Sequence, residues 1–338
     1  MKNTLCCLVA FLAATLTVQA DWILQDNFQD GETAGWELWN QQQDNPDVQD
    51  PSNLGLFEVV DDPYGDAGNH VVRYRAGDGL ILDQTMRLTK KLDPVVENDT
   101  TATFYFRFAP QGPGVDLTWG VSDYFDFEGE NVSARWGAYQ PIVRYGRPTE
   151  GSIEARNGGS YEDGTDVVLD AGTWYELWMV LHNRANIDGD GNLTGEEDTY
   201  EIYIRGGPFS EQTQLFAPDG SSEWIMRRSP TVDPLNFIMI LMTTTTTAEN
   251  FPGTDFMYSD DFYLDPDGVN LSSPLDGGPA TWAGYPIVND AGDVDTGSFL
   301  DWVNVLNKPW IYVYNLNKYV YLPEGAVGDF GAWMFVLN

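Results

Sequence analysis

The chain has 338 residues and carries 52 acidic side chains against 17 basic ones, a formal net charge of −35. That balance excludes nucleic acid and anionic membrane as partners, because the field of the whole protein repels a polyphosphate surface. The two cysteines, Cys6 and Cys7, lie within the first ten residues, so no disulfide or thiolate metal site is expected beyond them.

The opening MKNTLCCLVAFLAATLTVQA places Lys2 before an apolar run from Thr4 to Val18 and ends in small residues at Ala20. This is the layout of a secretory signal peptide cleaved after Ala20, and the run is too short for a membrane anchor. The expected location is secreted, extracellular or cell-surface, with the periplasm as an alternative, and no membrane insertion is expected. Three segments follow: a signal peptide over 1–20, a β-sandwich over 21–272 and a small aromatic β-module over 273–338.

From Asp21 the chain reads DWILQDNFQDGETAGWELWN, a short strand through Asp26-Asn-Phe28, an Asp-Gly turn and a Gly-Trp pair. Strands are predicted at 56–60, 70–75 and 80–87, separated by the turn-rich DDPYGDAGN and AGDG. Residues 101–108 alternate, with Phe104, Phe106 and Phe108 on one face and Thr103, Tyr105 and Arg107 on the other. Further strands are predicted at 115–121, 134–145 and 152–156. Residues 237–245 form an apolar run thinning into threonines, the pattern of a central strand buried on both faces, and 256–264 closes the series. No helical period of ten residues follows the signal. Short strands between turns predict an all-β fold, a sandwich or a barrel.

Two alternating runs, 174–182 and 199–205, read as neighbouring antiparallel strands around the polar insert NIDGDGNLTGEE at 186–197. The insert matches the spacing of an EF-hand calcium loop. Oxygen ligands fall on Asn186, Asp188, Asp190, Asn192 (through its carbonyl), Thr194 and Glu197, with Gly191 at the sharp turn. Asn rather than Asp stands first, and strands replace the flanking helices, so bound Ca2+ would be structural. The same text also reads as a solvated hairpin tip.

Taken in order, DNFQDG…GW, AGTWYELWMVLHN…DTYEIYIRGG and SDDFYLD resemble the concanavalin A-like (laminin-G-like) jelly-roll superfamily. The resemblance covers about 21–267. It implies two curved sheets with a face that often binds glycans, and it fixes no reaction, since that fold hosts lectins, hydrolases, lyases and adhesion modules. Some relatives carry a structural calcium between the first and last strands, where Asp26 and Asp261 would meet. Turn capping by these carboxylates is the simpler reading.

The polar face of the central strands holds Glu176, Trp178 and His182, then Glu201, Tyr203 and Arg205, with Tyr105 and Arg107 on a comparable face. Aromatic rings stack on sugar faces and Arg holds carboxylates bidentately, so Trp178, Tyr203, Arg205, Glu176, Tyr105 and Arg107 form the candidate carbohydrate site. An ordinary solvated sheet face is the alternative. Retaining glycosidases need a close carboxylate pair, and DYFDFE at 123–128 lacks the spacing. A lyase would use His182 or Tyr203 as base with Arg205 neutralising a uronate. In the last segment Trp310, Tyr312, Tyr314, Tyr319, Tyr321, Trp333 and Phe335 recur in short alternating runs. They resemble the aromatic repeats of cell-wall-binding modules and imply cell-envelope contact. Alternatively they form the core of a small appendage. The reading is a calcium-stabilised β-sandwich that binds a polysaccharide or surface glycan without chemistry. The alternatives are a polysaccharide lyase and a structural adhesion protein.

Overall fold

The computed structural model describes residues 22–40, 56–65, 68–75, 85–113, 115–123, 139–146, 151–184, 186, 188, 190, 192–227, 229, 233–243, 255–275, 281–282, 285–286, 293–297, 299–305, 310–322 and 335–336. The predicted signal peptide, the start of the 80–87 strand and loop positions 187, 189 and 191 lie outside these residues. Two compact units divide the chain, Met1–Asn270 and Leu271–Asn338.

Two antiparallel sheets build the first unit. One runs β13 (Phe209–Leu215), β12 (Thr199–Gly206), β11 (Tyr175–Asn183), β6 (Thr100–Pro110), β16 (Met257–Asp265), β4 (His70–Arg75) and β3 (Leu56–Asp61). It is completed by β1 (Ile23–Asp26) along β16 and β14 (Trp224–Ile225) beside β12. The other runs β10 (Ser160–Thr165), β9 (Ile153–Asn157), β8 (Tyr139–Tyr145), β7 (Leu117–Ser122), β15 (Leu235–Thr243), β5 (Thr85–Val96) and β2 (Trp36–Asn40). This is the all-β sandwich expected from the alternation, with the two sheets that the resemblance to concanavalin-like jelly rolls implied. No helix among the described residues is long and apolar enough to cross a membrane.

Strand periodicity sorts the side chains. Phe104, Phe106 and Phe108 of β6, with Tyr175, Leu177, Met179 and Leu181 of β11, face Leu117, Trp119 and Val121 of β7 across the sandwich. Rings dominate this layer: Phe106 stacks on Phe262 at 5.7 Å and Phe108 meets Trp119 at 4.6 Å. Buried polar tips find partners there, since the Trp119 indole donates to the Tyr74 hydroxyl, which shares a 2.6 Å hydrogen bond with Ser259. Strand β15 is buried on both faces as its composition predicts. Ile238, Ile240 and Met242 enter the main core, while Met239 and Leu241 pack with Ile142 on the opposite side.

Strands β2, β10, β13 and β14 of the first unit escape the sequence reading, and two of them show why. SYEDGT of β10 and FSEQTQL of β13 lack an apolar alternation because each sits at a sheet edge. Backbone pairing, which any side chain can accompany, sets their place, and cross-strand contacts such as Gln214 to Glu201 and Asn157 to Glu162 add to it. The β12–β13 hairpin depends on Gly206, whose φ is +126° and whose missing Cβ would stand 2.5 Å from the Trp174 carbonyl oxygen.

The second unit holds a two-stranded ribbon, β17 (Thr281–Trp282) with β18 (Tyr285–Pro286). Beside it in sequence comes a five-stranded antiparallel sheet, β19 (Asp293–Asp295), β20 (Trp302–Asn304), β21 (Trp310–Val313), β22 (Lys318–Tyr321) and β23 (Phe335–Val336), in that order. Its core is aliphatic: Val294, Val303, Val305, Ile311, Val313, Val320 and Leu322. The reading in which the aromatics form that core is corrected for Trp310, Tyr312, Tyr314, Tyr319 and Tyr321, while Trp333 and the Phe335 side chain lie outside what is described. Alternation places Trp310, Tyr312, Tyr319 and Tyr321 opposite the buried valines and Ile311.

Candidate functional site

The outer face of the nine-stranded sheet gathers all seven predicted site residues, because β11 is flanked by β6 and β12 in a common register. Glu176 stands between Arg107 and Arg205, Trp178 between Tyr105 and Tyr203, and His182 between Thr101 and Thr199. Glu176 accepts from Arg205 Nε at 2.8 Å and Nη2 at 2.6 Å, and from the Tyr105 hydroxyl at 2.9 Å. Glu201 is a second hub. It accepts from the Tyr203 hydroxyl at 2.6 Å and Gln214 Nε2 at 2.8 Å, and lies 3.2 Å from His182 Nε2. The other imidazole nitrogen lies 3.1 Å from the Thr101 hydroxyl.

Trp178 and Tyr105 are not the open stacking surface that their composition implied. Both are fully buried. Tyr105 meets Trp178 edge-on at 5.1 Å, Arg205 lies 5.8 Å over the Trp178 ring, and Trp22 covers Tyr105 at 5.7 Å. The accessible part of the face is its polar rim, with the side chains of Arg205 29% and Glu176 16% exposed. Burial and the neighbouring Glu201 carboxylate push the Tyr203 phenol above its usual range.

Arg107 belongs to a different constellation. A register shift in the β16–β6 pairing and a φ of +54° at Asp261 bring two consecutive carboxylates to one guanidinium. Arg107 Nη2 lies 2.9 Å from Asp260 and 2.5 Å from Asp261, and its guanidinium covers Trp174 at 4.9 Å. Burial and then the Asp261 charge push the Asp260 carboxyl up to about 7, against the opposing pull of Arg107. Asp261 is raised as well, by burial first. Strands β1 and β16 do pair, Asp26 opposite Phe262. Asp26, however, accepts from Lys90 at 2.5 Å and the Trp36 indole at 2.8 Å. Each carboxylate of the suspected Asp26–Asp261 pair thus has its own cation.

The loop after β11 closes through Asp188 N to the Asn192 carbonyl at 2.8 Å and Thr194 N to the Asn186 carbonyl at 2.7 Å. Asp188 Oδ1 accepts from the backbone of Asp190 and Asn192. Asn186 is buried and its amide donates to Asp198 at 2.8 Å. Glu197 Oε2 is buried with no hydrogen-bond partner among the described residues. No three His, Cys, Asp or Glu side chains among the described residues converge as a metal cluster.

A polar constellation that sequence reasoning missed occupies the outer face of the seven-stranded sheet. Arg144 holds Asp116 through Nε and Nη2 at 2.8 and 2.9 Å and Glu154 through Nη1 at 2.8 Å. Arg144 and Arg156 lie 4.9 and 4.8 Å over the same ring, Tyr161. The Thr89 hydroxyl is buried without a hydrogen-bond partner among the described residues, and the Tyr161 and Thr118 hydroxyls neighbour each other. Arg144 and Glu154 lie in predicted strands, but Tyr161 sits in the unrecognised edge strand, so the cluster had no sequence signal.

No protein-family model matches the sequence, and no curated protein matches it. Similar folds occur among solved structures. The globular domain of T. cruzi calreticulin is 12% identical, with 76% of this chain and 90% of that one aligned at a TM-score of 0.43. A marine PL-14 alginate lyase from Aplysia kurodai is 9% identical over 62% and 86% of the two chains, TM-score 0.40. Basic winged bean lectin, solved with Tn-antigen, is 10% identical over 68% and 97%, TM-score 0.40.

Proposed function

We propose that this is a secreted, calcium-stabilised β-sandwich that binds a polysaccharide or surface glycan without chemistry. The ligand lies along the polar rim of the nine-stranded sheet, where Arg205, Glu176 and Tyr203 offer fixed donors and acceptors. The covered rings of Trp178 and Tyr105 support Arg205 and Glu176, and Arg107, held by Asp260 and Asp261, borders them. The observation that carries this reading over a lyase is the state of the two candidate bases. His182 is engaged at both nitrogens by Thr101 and Glu201. Tyr203 donates to Glu201 and holds its proton more tightly than a free phenol. A base for proton abstraction needs an unprotonated atom with a free lone pair, whereas both imidazole nitrogens are already engaged and the Tyr203 phenol keeps its proton, directed at Glu201.

The buried, unpartnered Glu197 oxygen supports the calcium assignment, since such a group costs about 1–3 kcal/mol unless something satisfies it. Asn186, Asp188, Asp190, the Asn192 carbonyl, Thr194 and Glu197 would hold the ion. Bound there, it would supply a cross-link between β11 and β12. The layout of residues 1–20 supports secretion. A second location for the ligand, the outer face of the seven-stranded sheet, is favoured by the Arg144–Tyr161–Arg156 stack and the buried, unpartnered Thr89 hydroxyl.

Retention on a panel of neutral and acidic polysaccharides, with ultraviolet detection of unsaturated uronate product, tests the reading. Arg205→Ala should weaken retention by roughly 10-fold or more, as expected for a charged hydrogen bond, and His182→Ala much less. Product release by the wild type that His182→Ala or Tyr203→Phe abolishes would establish a lyase instead. Unchanged retention of folded Arg205→Ala on an acidic polysaccharide that the wild type binds would move the site off this rim.

A further inference from the structure

The second unit carries more aromatic surface than its fold uses. Among the described residues its sheet packs an aliphatic core, Val294, Val303, Val305, Ile311, Val313, Val320 and Leu322, every one of them essentially inaccessible, with Phe299 and Leu300 against it. On the other face Trp302, Trp310, Tyr314 and Tyr319 remain 42%, 37%, 46% and 47% exposed. Large rings left in water opposite that core add nothing to folding, and a contiguous exposed patch of this kind marks a contact surface.

The rings form a strip of two edge-on groups on neighbouring strands. Tyr312 packs edge-on against Tyr314 at 5.2 Å and Tyr319 at 5.1 Å, and Trp310 against Tyr321 at 5.1 Å. Cross-strand pairing fixes them: Tyr312 lies opposite Tyr319 and Trp310 opposite Tyr321. Hydrogen bonds hold the tips, from the Tyr314 hydroxyl to Asp293 at 2.6 Å and from Tyr312 to Asn317. Asn304 also donates to Asp293, at 2.9 Å, so the carboxylate beside the strip already serves two donors.

We propose that this strip is a binding platform for a neutral polysaccharide. The chemistry selects that occupant. Flat rings with hydroxyl and amide groups between them suit a ligand with C–H faces and hydroxyl edges. Charge excludes the competitors. Residues 271–338 contain seven acidic and two basic side chains, so acidic polymers and anionic membranes are repelled. A second copy, itself at −35, is repelled too. The platform is independent of the sandwich rim and does not rest on the function proposed for it.

The test is depletion of the full-length protein by insoluble cellulose, chitin, β-1,3-glucan and starch, with alginate and zwitterionic phosphatidylcholine vesicles as the contrasting probes. The wild type should bind at least one neutral polymer, with soluble alginate failing to compete. Trp310→Ala and Tyr319→Ala should each weaken binding by roughly 10-fold, the upper range for one aromatic contact, and together abolish it. Tyr319→Phe, which keeps the ring, should retain most of it. Should the alanine variants fail to fold, protection of wild-type tryptophan fluorescence from acrylamide by soluble oligosaccharides decides the question. Binding to vesicles instead, self-association that Trp310→Ala abolishes, or retention unaltered in the folded double variant would each overturn the proposal.

Discussion

Asp260→Asn examines the most unusual electrostatic feature of the sandwich. The wild-type side chain is fully buried, accepts from Arg107 and Asn69, and shares one guanidinium with Asp261. Its carboxyl, pushed up to about 7 by burial and the adjacent charge, binds a proton in the folded state that the unfolded chain releases near the usual carboxylate range of about 4. Between these limits the native state holds more protons, so this group's contribution to stability is fully present below about pH 4 and is lost as pH rises towards 7. One group contributes at most about 1.4 kcal/mol per pH unit. Because the proton is distributed over the Asp260–Asp261 pair, a total of about 2–4 kcal/mol is expected. For a unit of this size that corresponds to roughly 5–10 °C in Tm.

The variant cannot ionise at this position, and Asp261, left alone with Arg107, titrates lower. The amide disturbs the hydrogen bonds of the site and costs about 1–3 kcal/mol at every pH, so the informative quantity is the change in the difference. Thermal melts of wild type and variant from about pH 5 to pH 8 should show the gap narrowing or reversing as pH rises. Subtracting the two profiles removes the general repulsion of a chain at −35. A Tm difference constant within about 1 °C across that range would refute the assignment of the shared proton to this pair.

Two further outcomes follow from the geometry. Calcium should raise the Tm, a chelator should lower it, and Glu197→Gln or Asp190→Ala should remove that response, because a ligand bound only by the folded state stabilises by mass action; calorimetry with no calcium binding would leave a plain hairpin tip. A chain ended after Asp276 should stay soluble and keep a cooperative melt, since the first unit closes at Asn270. Aggregation of that chain would instead make residues 271–338 part of the sandwich.

Much of the architecture was legible without coordinates. Period-2 alternation in 101–108, 174–182 and 199–205 set which side chains enter the core and which face outward, and the two-sided burial of β15 followed from its unbroken apolar run. Edge strands β10 and β13 were illegible because backbone pairing, which any side chain can accompany, holds them in place.

The grouping of Glu176, Trp178, His182, Tyr203 and Arg205 on one face was likewise determined by the sequence, because alternation within a strand is local. Exposure is not local, and only the tertiary structure decided it. Trp22, more than eighty residues away in sequence, buries Tyr105, and a bulge at Asp261 pulls Arg107 into an acid pair. The same division holds in the second unit. Its aromatic recurrence was plain in the sequence, but a strand has two faces, and only a separate aliphatic core could assign the rings to the outer one.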